Sequence, residues 1–574
     1  MCNHGDQSED RTQASGGPEQ IRDRARAWRA SIRNRPERCV VVGSGTLAVS
    51  CCEQIRASGR AVSALLPTDA ALDSWGKRED VVRLDSIDAL GEWLKNHEID
   101  WLFSVANPLI MPAALLDAIH GGAFNYHDGP LPRHAGSHAT SWALLAGETE
   151  HAICWHCLSF PVDGGHIAIR RAVPIEAHDT ALSLNLKCYH AAREGFAELL
   201  SQLDTGELVL EQQDIAQRSF HAKWRRPEAG AHLRWSMTAY DLSTLARALD
   251  FGEHYPNPLT SPKLWIADTA FAIRQVHPLR RCSGQPPGTL IGVASDAWQV
   301  ATGSTDVLVR GLSSLEGVPY VASELADTLA LGRGSPLPVL TQEEAELARS
   351  TLETLAPSEA FWRERLVRSG ARRPLFSSSH DHSGQRACET TDWSPPRPMM
   401  SCEDPAVVTL GTFLVCISLD IDQSCIQVGW RVDEAATLSG RMAGLAEIVP
   451  LEVQIERRND FRRHLQSVTL ALELMKQHRT HPRDIVSRYP ELRTMLALQT
   501  QHPWEIGISF VRRNIDSTNR ALAPRCAVGK VATLEIGEDG SFRWTYDIRQ
   551  SNRDIIERLN DRMKGHGLFP GSDF

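Results

Sequence analysis

The sequence has no long hydrophobic run. Its longest uncharged apolar stretch, Ala406 to Leu419 (AVVTLGTFLVCISL), falls short of the roughly 20 residues that span a bilayer, and reads as a buried helix. The first residues, MCNHGDQSEDRTQASGG, lack the apolar core of a secretory signal. No self-similarity recurs at a period of 20–50 residues, which excludes a solenoid. Cysteine is present, 13 in 574 residues, but not as a disulfide framework: Cys51 and Cys52 adjoin one another in a helical stretch. An excess of basic charge is also missing. Lys and Arg number 61 against 71 Asp and Glu, so the chain carries a net charge of −10 and repels a polyphosphate partner. These absences leave a soluble, multidomain protein, expected in the cytoplasm, with neither a membrane nor a nucleic acid as partner.

What is present is enough apolar material (42%) and enough length for three or four domains of about 100–200 residues. Residues 1–36 are polar, without apolar periodicity, and read as a disordered leader with a short helix near Ala25–Ile32. From Cys39, β-branched runs alternate with helical ones: CVVVG, LAVSCCEQIRASG, AVSALLP, IDALGEWLKNH, IDWLFSV and GAFNYHDGP. That alternation predicts βαβ units and a Rossmann-like parallel sheet over 37–218. From about Ser219 to residue 333, short strands cut by Pro and Gly predict a small open β-barrel. Residues 334–399 read as a linker with one helix, ending in a polar loop from about 374. Residues 400–570 read as a further mixed α/β unit, to which a helix from about 357 belongs.

Gly43-Ser44-Gly45-Thr46-Leu47-Ala48 follows a strand and opens a helix, the loose form of a dinucleotide fingerprint. The second strand, however, ends in Leu65-Leu66-Pro67 without the acidic residue that holds a ribose. A tight strand-to-helix turn is the simpler reading, and an NAD(P)-dependent oxidoreductase the alternative. More specific is Asn125-Tyr126-His127, whose alternate residues share one face of a strand that Gly129 and Pro130 terminate. Open α/β sheets place ligands at that end. The downstream turn Asp163-Gly164-Gly165 can return a carboxylate to the same crevice. An amide donor, an imidazole and a carboxylate suit acyl transfer between nitrogens: donors for a tetrahedral oxyanion, and groups to move a proton from attacking to leaving nitrogen. His151-Ala-Ile-Cys154-Trp155-His156-Cys157 packs two His and two Cys together, but on a strand these face both ways and cannot converge on one ion. No metal is expected there, nor at His380-Asp381-His382 in its polar loop.

Together FNYHDGPLPRHAGSHATSWALLAGE, HAICWH and VDGGHI resemble the catalytic core of the 10-formyltetrahydrofolate-dependent formyltransferases, most closely the formyltransferase domains of nonribosomal peptide synthetases. The likeness runs over about 37–330. It implies a formyltransferase domain followed by its barrel-like second domain, and 10-formyltetrahydrofolate as co-substrate. The catalytic residues it implies are Asn125, His127 and Asp163, with Leu131-Pro132 as a turn. The pterin would lie against Val105, Asn107, Leu109, Ile110 and Met111, and against Pro161 and Val162 before the catalytic Asp. Members often carry Tyr or Phe where this chain has His134 and Asn where it has His138, positions expected to flank the pocket mouth. The stretch PTDAALDSWGKRED is acidic where the tRNA-specific members carry a basic, glycine-rich loop.

PSEAFWRERL, EIVPLEVQIERRNDFRRHLQSVTLALELMKQH and GSFRWTYDI resemble the carboxyl-terminal half of a peptide-synthetase condensation domain. The HHxxxDG motif of those domains occurs nowhere in the chain, so the expected role is docking or scaffolding. The expected activity is N-formyl transfer to the amine of an amino-acid-like or carrier-protein-bound acceptor in natural-product biosynthesis, with any peptide-synthetase partner acting in trans. A hydrolase of the same folate and a non-catalytic docking protein are the other readings.

Overall fold

The computed structural model describes residues 35–370, 388–395, 404–421, 423–432, 442–455, 461–500, 503–511, 529, 531–547 and 553–564, with Glu19, Asp23 and Ala27 before them. Most of the expected leader, and His380-Asp381-His382, lie outside these residues. The chain forms two compact units, one of residues 1–225 with 244–252, the other of residues 226–243 with 253–574.

The first unit is built on strands β1 (Arg38–Gly43), β2 (Ala61–Pro67), β3 (Val82–Arg83), β4 (Ile99–Val105) and β5 (Ile119–His127), a two-residue β6 (Ala135–Gly136), then β7 (Glu150–Cys157), β8 (Ile167–Pro174) and a short β9 (Phe220–His221). Seven of them make one sheet in the order β3-β2-β1-β4-β5-β7-β8. The first five are parallel, four of them (β1, β2, β4 and β5) being the strands the alternation predicted, whereas β7 runs antiparallel to β5 and β8 antiparallel to β7. For β8 the reason is simple: no helix separates it from β7, and without a crossover the chain can only double back. Both faces of the parallel part are buried, which is why β1 and β4 are apolar without alternation. Cys39 and Val41 join one core with Trp101, Phe103 and Phe196; Val40 and Val42 join the other with Leu102 and Met111. The long helix Ala181–Thr205 covers the first face, started by a Thr180/Ser183 capping box and stopped at Gly206.

In the second unit the expected open barrel consists of two antiparallel sheets rather than one continuous wall. They are the hairpin β10 (Lys263–Ile266) with β11 (Thr269–Ala272), and a four-stranded sheet of β12 (Gln275–Pro278), β13 (Leu290–Val293), β14 (Ala297–Val300) and β15 (Val307–Arg310). A six-stranded mixed sheet follows: β16 (Cys388–Thr390), β17 (Cys425–Arg431), β18 (Ile448–Gln454), β19 (Ile506–Val511), β20 (Ala532–Gly537) and β21 (Phe542–Asp547), in the order β16-β21-β20-β19-β17-β18. β16 falls inside the segment read as a polar loop. Its three residues pair with Thr545–Asp547, so backbone bonds to an edge, not side-chain hydrophobicity, make it a strand. The apolar run is a buried helix, Pro405–Ile421, with Leu410, Phe413, Leu414 and Ile417 in the core. Among the described residues no helix is long and apolar enough to cross a membrane.

Ion pairs buried in this unit cross the stretch read as a linker. Arg488 donates to Asp484 (2.9 Å) and Glu359 (2.8 Å), and Arg226 donates to Glu359 (3.2 Å). Asp484 accepts from Thr260 Oγ1 (2.9 Å) and the Ser261 amide (2.8 Å), with Lys263 Nζ at 3.6 Å.

Nearby, His232 and His481 are buried neutral. Burial above all pushes the first down to about 3 and the second to about 4. In the unfolded chain both titrate near 6.5. Between those values the unfolded chain binds protons that the folded unit refuses, so stability falls as pH drops, by roughly 1 kcal/mol per pH unit per group. Urea unfolding of the second unit's transition is expected to show a lower midpoint at pH 5 than at pH 7; equal midpoints would refute the neutral assignment.

Candidate active site

Asn125 lies one residue inside the register that joins three strands: its backbone opposes Ser104 of β4 on one side and His156 of β7 on the other. Both of those positions are next to last in their strands, so the loops that follow β4 and β7 leave the sheet beside Asn125. On the second loop, Asp163 adopts a left-handed φ of 57°, a conformation Asp tolerates better than most residues. Gly165 behind it is obligatory, because a Cβ there would stand 1.9 Å from the Cys157 carbonyl oxygen. Gln213 clamps the turn by donating Nε2 to the carbonyls of Asp163 (2.8 Å) and Gly165 (2.6 Å).

These elements bring the three expected catalytic side chains together. Asp163 Oδ2 is 3.7 Å from His127 Nδ1 and accepts the Gly136 amide at 2.8 Å. His127 Nε2 donates to the His134 carbonyl at 2.8 Å, which leaves Nδ1 as the nitrogen facing Asp163. Asn125 Nδ2 donates to His156 Nε2 at 3.1 Å, and His156 Nδ1 donates to the Cys157 carbonyl at 2.9 Å. His156 Nε2 is in turn 3.5 Å from Asp163 Oδ1. Burial would raise the Asp163 carboxyl, but the field of His127 and the hydrogen bond from the Gly136 amide help to outweigh it and hold the group well below the usual carboxylate range.

His156 was expected only to fill a strand, and the structure corrects that: it touches both Asn125 and Asp163. Spacing along the chain contains no sign of this, since only the β5–β7 register places residue 156 opposite residue 125. His134 and His138 were expected at the pocket mouth. His134 is instead buried, with its carbonyl on His127, while His138 stands in a left-handed conformation just before the helix Ala139–Leu145. The rest of the His/Cys segment disperses. His151 Nε2 meets the Asp128 carbonyl, and Cys154 and Cys157 sit in separate apolar clusters where burial pushes each thiol up to about 12.

The residues expected against a pterin fall into three groups. Leu109, Ile110, Pro161 and Val162 are exposed on the two flanking loops, Ile110 by 64% and, beside Pro161, Phe160 by 57%. Asn107 spends its amide on Ser104 Oγ and on both backbone groups of Leu109, so it shapes the first loop. Val105 and Met111 are core residues. The Gly43–Ala48 turn is tied to the same strand end. A Cβ on Gly43 would stand 1.9 Å from the Val105 carbonyl oxygen, and the Gly45 amide donates to Asp69 Oδ2 at 2.8 Å. A carboxylate on that amide repels the phosphate that a dinucleotide would place there, which removes the physical basis of the oxidoreductase reading.

Residues 77–200 match the family model described as "Formyl transferase", so the chain carries a formyl transferase domain and is an enzyme of that chemistry. Among solved structures, the chain resembles WlaRD, a sugar 3N-formyl transferase crystallised with dTDP and 5-N-formyl-THF (14% identity, 48% of this chain and 98% of that one, TM-score 0.39). It also resembles an N-formyltransferase from Helicobacter canadensis in complex with folinic acid and dTDP-3-aminofucose (15%, 48% and 99%, TM-score 0.39). A third is HypX from Aquifex aeolicus in complex with tetrahydrofolic acid (14%, 51% and 48%, TM-score 0.38).

Replacing His156 by Leu keeps the bulk in the strand but removes the partner of Asn125 and one partner of Asp163. Turnover is expected to fall about ten- to hundredfold with the melting temperature little changed. Steady-state rates alongside thermal unfolding check this, and an unaltered rate would return His156 to a packing role.

Proposed function

We propose that this enzyme transfers a formyl group from 10-formyltetrahydrofolate to the amine of an amino-acid-like or carrier-protein-bound acceptor in the biosynthesis of a peptide natural product. The observation that carries the reading is the convergence of Asn125, His127 and Asp163 beside two loops with exposed apolar side chains. Those side chains (Leu109, Ile110 and Val162) suit the flat apolar body of a pterin, which supports the folate as the donor.

Asn125 has two amide hydrogens. One goes to His156, which sets the orientation of the group and leaves the other for the formyl oxygen. That bond strengthens as the oxygen becomes an oxyanion in the tetrahedral intermediate. The new bond joins the acceptor nitrogen to the formyl carbon; the bond that breaks joins that carbon to the folate nitrogen. One proton must leave the first nitrogen and reach the second. Asp163, held ionised, is too weak a base to take it well, but it stabilises a proton on His127 Nδ1. His127 is therefore the carrier, and Asp163 holds its charged form.

The amine acceptor is supported by the acidic stretch after the second strand and by the net charge of −10, both unfavourable to tRNA. A carrier-bound acceptor is supported by the resemblance of the last unit to half of a condensation domain. Its six-stranded sheet without an HHxxxDG motif suits presentation rather than catalysis. The hydrolase reading uses the same three residues with water in place of the amine.

Mixing the protein with 10-formyltetrahydrofolate and a panel of amino acids and loaded carrier proteins tests the reading by folate absorbance. Acceptor-dependent release of tetrahydrofolate is expected. Asn125→Ala should lower it by roughly 10²–10³-fold while the folate still binds. Equal release without any acceptor would establish the hydrolase, and no folate binding would overturn the proposal.

A further inference from the structure

The catalytic pair hangs on one short stretch of backbone. The carbonyl of His134 accepts from His127 Nε2, and two residues later the amide of Gly136 donates to Asp163. What holds that stretch is therefore what holds the pair. Part of the answer is β-pairing, since β6 lies parallel to β9 and the Ser137 amide donates to the His221 carbonyl at 2.9 Å. The other part is made of side chains, and chemistry allows it only one direction. Arg225 Nη1 lies 2.9 Å from His221 Nδ1, His221 Nε2 lies 3.0 Å from His134 Nδ1, and His134 Nε2 lies 2.9 Å from Glu148 Oε1. A guanidinium only donates and a carboxylate only accepts. Both imidazoles between them must accordingly be neutral, each protonated at Nε2 and accepting at Nδ1. The planes of the two rings lie 21° apart with centroids 5.1 Å apart, which is compatible with the N–H···N bond, and His221 stacks on Trp142 with centroids 5.0 Å apart.

We propose that Arg225, His221, His134 and Glu148 form a one-directional hydrogen-bond chain that positions His127 and Asp163 for formyl transfer. The chain locks the ring of His134, hence its carbonyl, hence the tautomer of His127 that leaves Nδ1 toward Asp163. It also anchors Gly136, whose amide keeps the carboxylate in place. None of the four touches substrate in this scheme; they are positioning residues. The pKa of the His221 imidazolium, pushed down to about 4 chiefly by burial and further by the Arg225 guanidinium, agrees with a ring that stays neutral at working pH. Glu148 Oε1 also accepts from Arg133 at 3.0 Å, which fixes the acceptor end from the solvent side.

The inference rests on the formyl-transfer reading for its kinetic consequence but not for its geometry, so two measurements separate them. In kinetics, Glu148→Leu removes the terminal acceptor and is expected to lower kcat about tenfold with the folate KM within twofold. Glu148→Gln, which still offers Oε1 to His134, should restore kcat to within about threefold of the parent. His221→Phe keeps the stack on Trp142 and breaks the chain at its other link. It should lose as much as Glu148→Leu, and the double variant no more than either alone. Losses that simply add, or a Gln variant as impaired as the Leu variant, would overturn the chain. Heteronuclear NMR of histidine-labelled full-length protein at neutral pH reads the tautomers without any turnover. Protonation at Nε2 is expected for His127, His134 and His221, and Glu148→Leu should lower the Nε2-protonated fraction of His127. A proton on Nδ1 of His134 or His221 would overturn the proposal even in an active formyltransferase. Expected tautomers in a protein that never turns over would instead sink the formyl-transfer reading and leave the chain standing.

Discussion

The candidate site depends on one structural link, the two backbone bonds from residues 134 and 136 to His127 and Asp163. Neither of these side chains is held by its own strand alone. His127 ends β5, where the ring could rotate, and Asp163 sits on a turn. The carbonyl of His134 removes the rotational freedom of the first, and the amide of Gly136 fixes the second and favours its ionised form. A hydrogen bond to a buried ionised carboxylate contributes roughly twice as much as one between neutral groups. Displacement of the 134–136 backbone would thus disturb the imidazole and its carboxylate together.

A different constraint governs the second unit. Arg226, Glu359, Asp484, Arg488 and Lys263 come from segments far apart in sequence and meet out of contact with water. Burying charge costs several kcal/mol per ion unless partners and hydrogen bonds offset it, and here Thr260, Ser261 and the Asn257 carbonyl complete the set. Such a cluster tolerates no partial assembly: removal of one member strands another charge in the interior. Its effect is to make the hairpin at Lys263, the helix beginning at Glu359 and the short helix Ile485–Arg488 adopt one mutual arrangement.

Much of this architecture is legible in the residues. Apolar β-branched runs such as Cys39–Val42 have no alternation, which demands a strand buried on both faces, and the structure has it so. Asn125 and His127 two apart, stopped by Gly129 and Pro130, announce a polar pair at a strand end. The Asp163-Gly164-Gly165 turn is readable because an Asp followed by two glycines marks a tight turn. Each of these is a local rule, in which the residues that impose the constraint lie within a few positions of the residue that obeys it.

What lay outside such rules was decided by the tertiary fold. His156 enters the site because β7 pairs with β5 in one particular register, and a shift by one residue would have turned it to the opposite face. Gln213 reaches Asp163 across a gap in sequence that no spacing encodes. His134 and His221 become a hydrogen-bonded pair only because β6 and β9 lie side by side. β16 is a strand by virtue of the edge it covers. The sequence by itself determined which segments form the parallel strands, where the chemistry-bearing residues sit on them and which charge the chain carries, because periodicity, turn residues and composition act locally. Only the tertiary structure decided which donors face which acceptors, because hydrogen bonds are directional over about 3 Å and pair groups that the chain leaves dozens of residues apart.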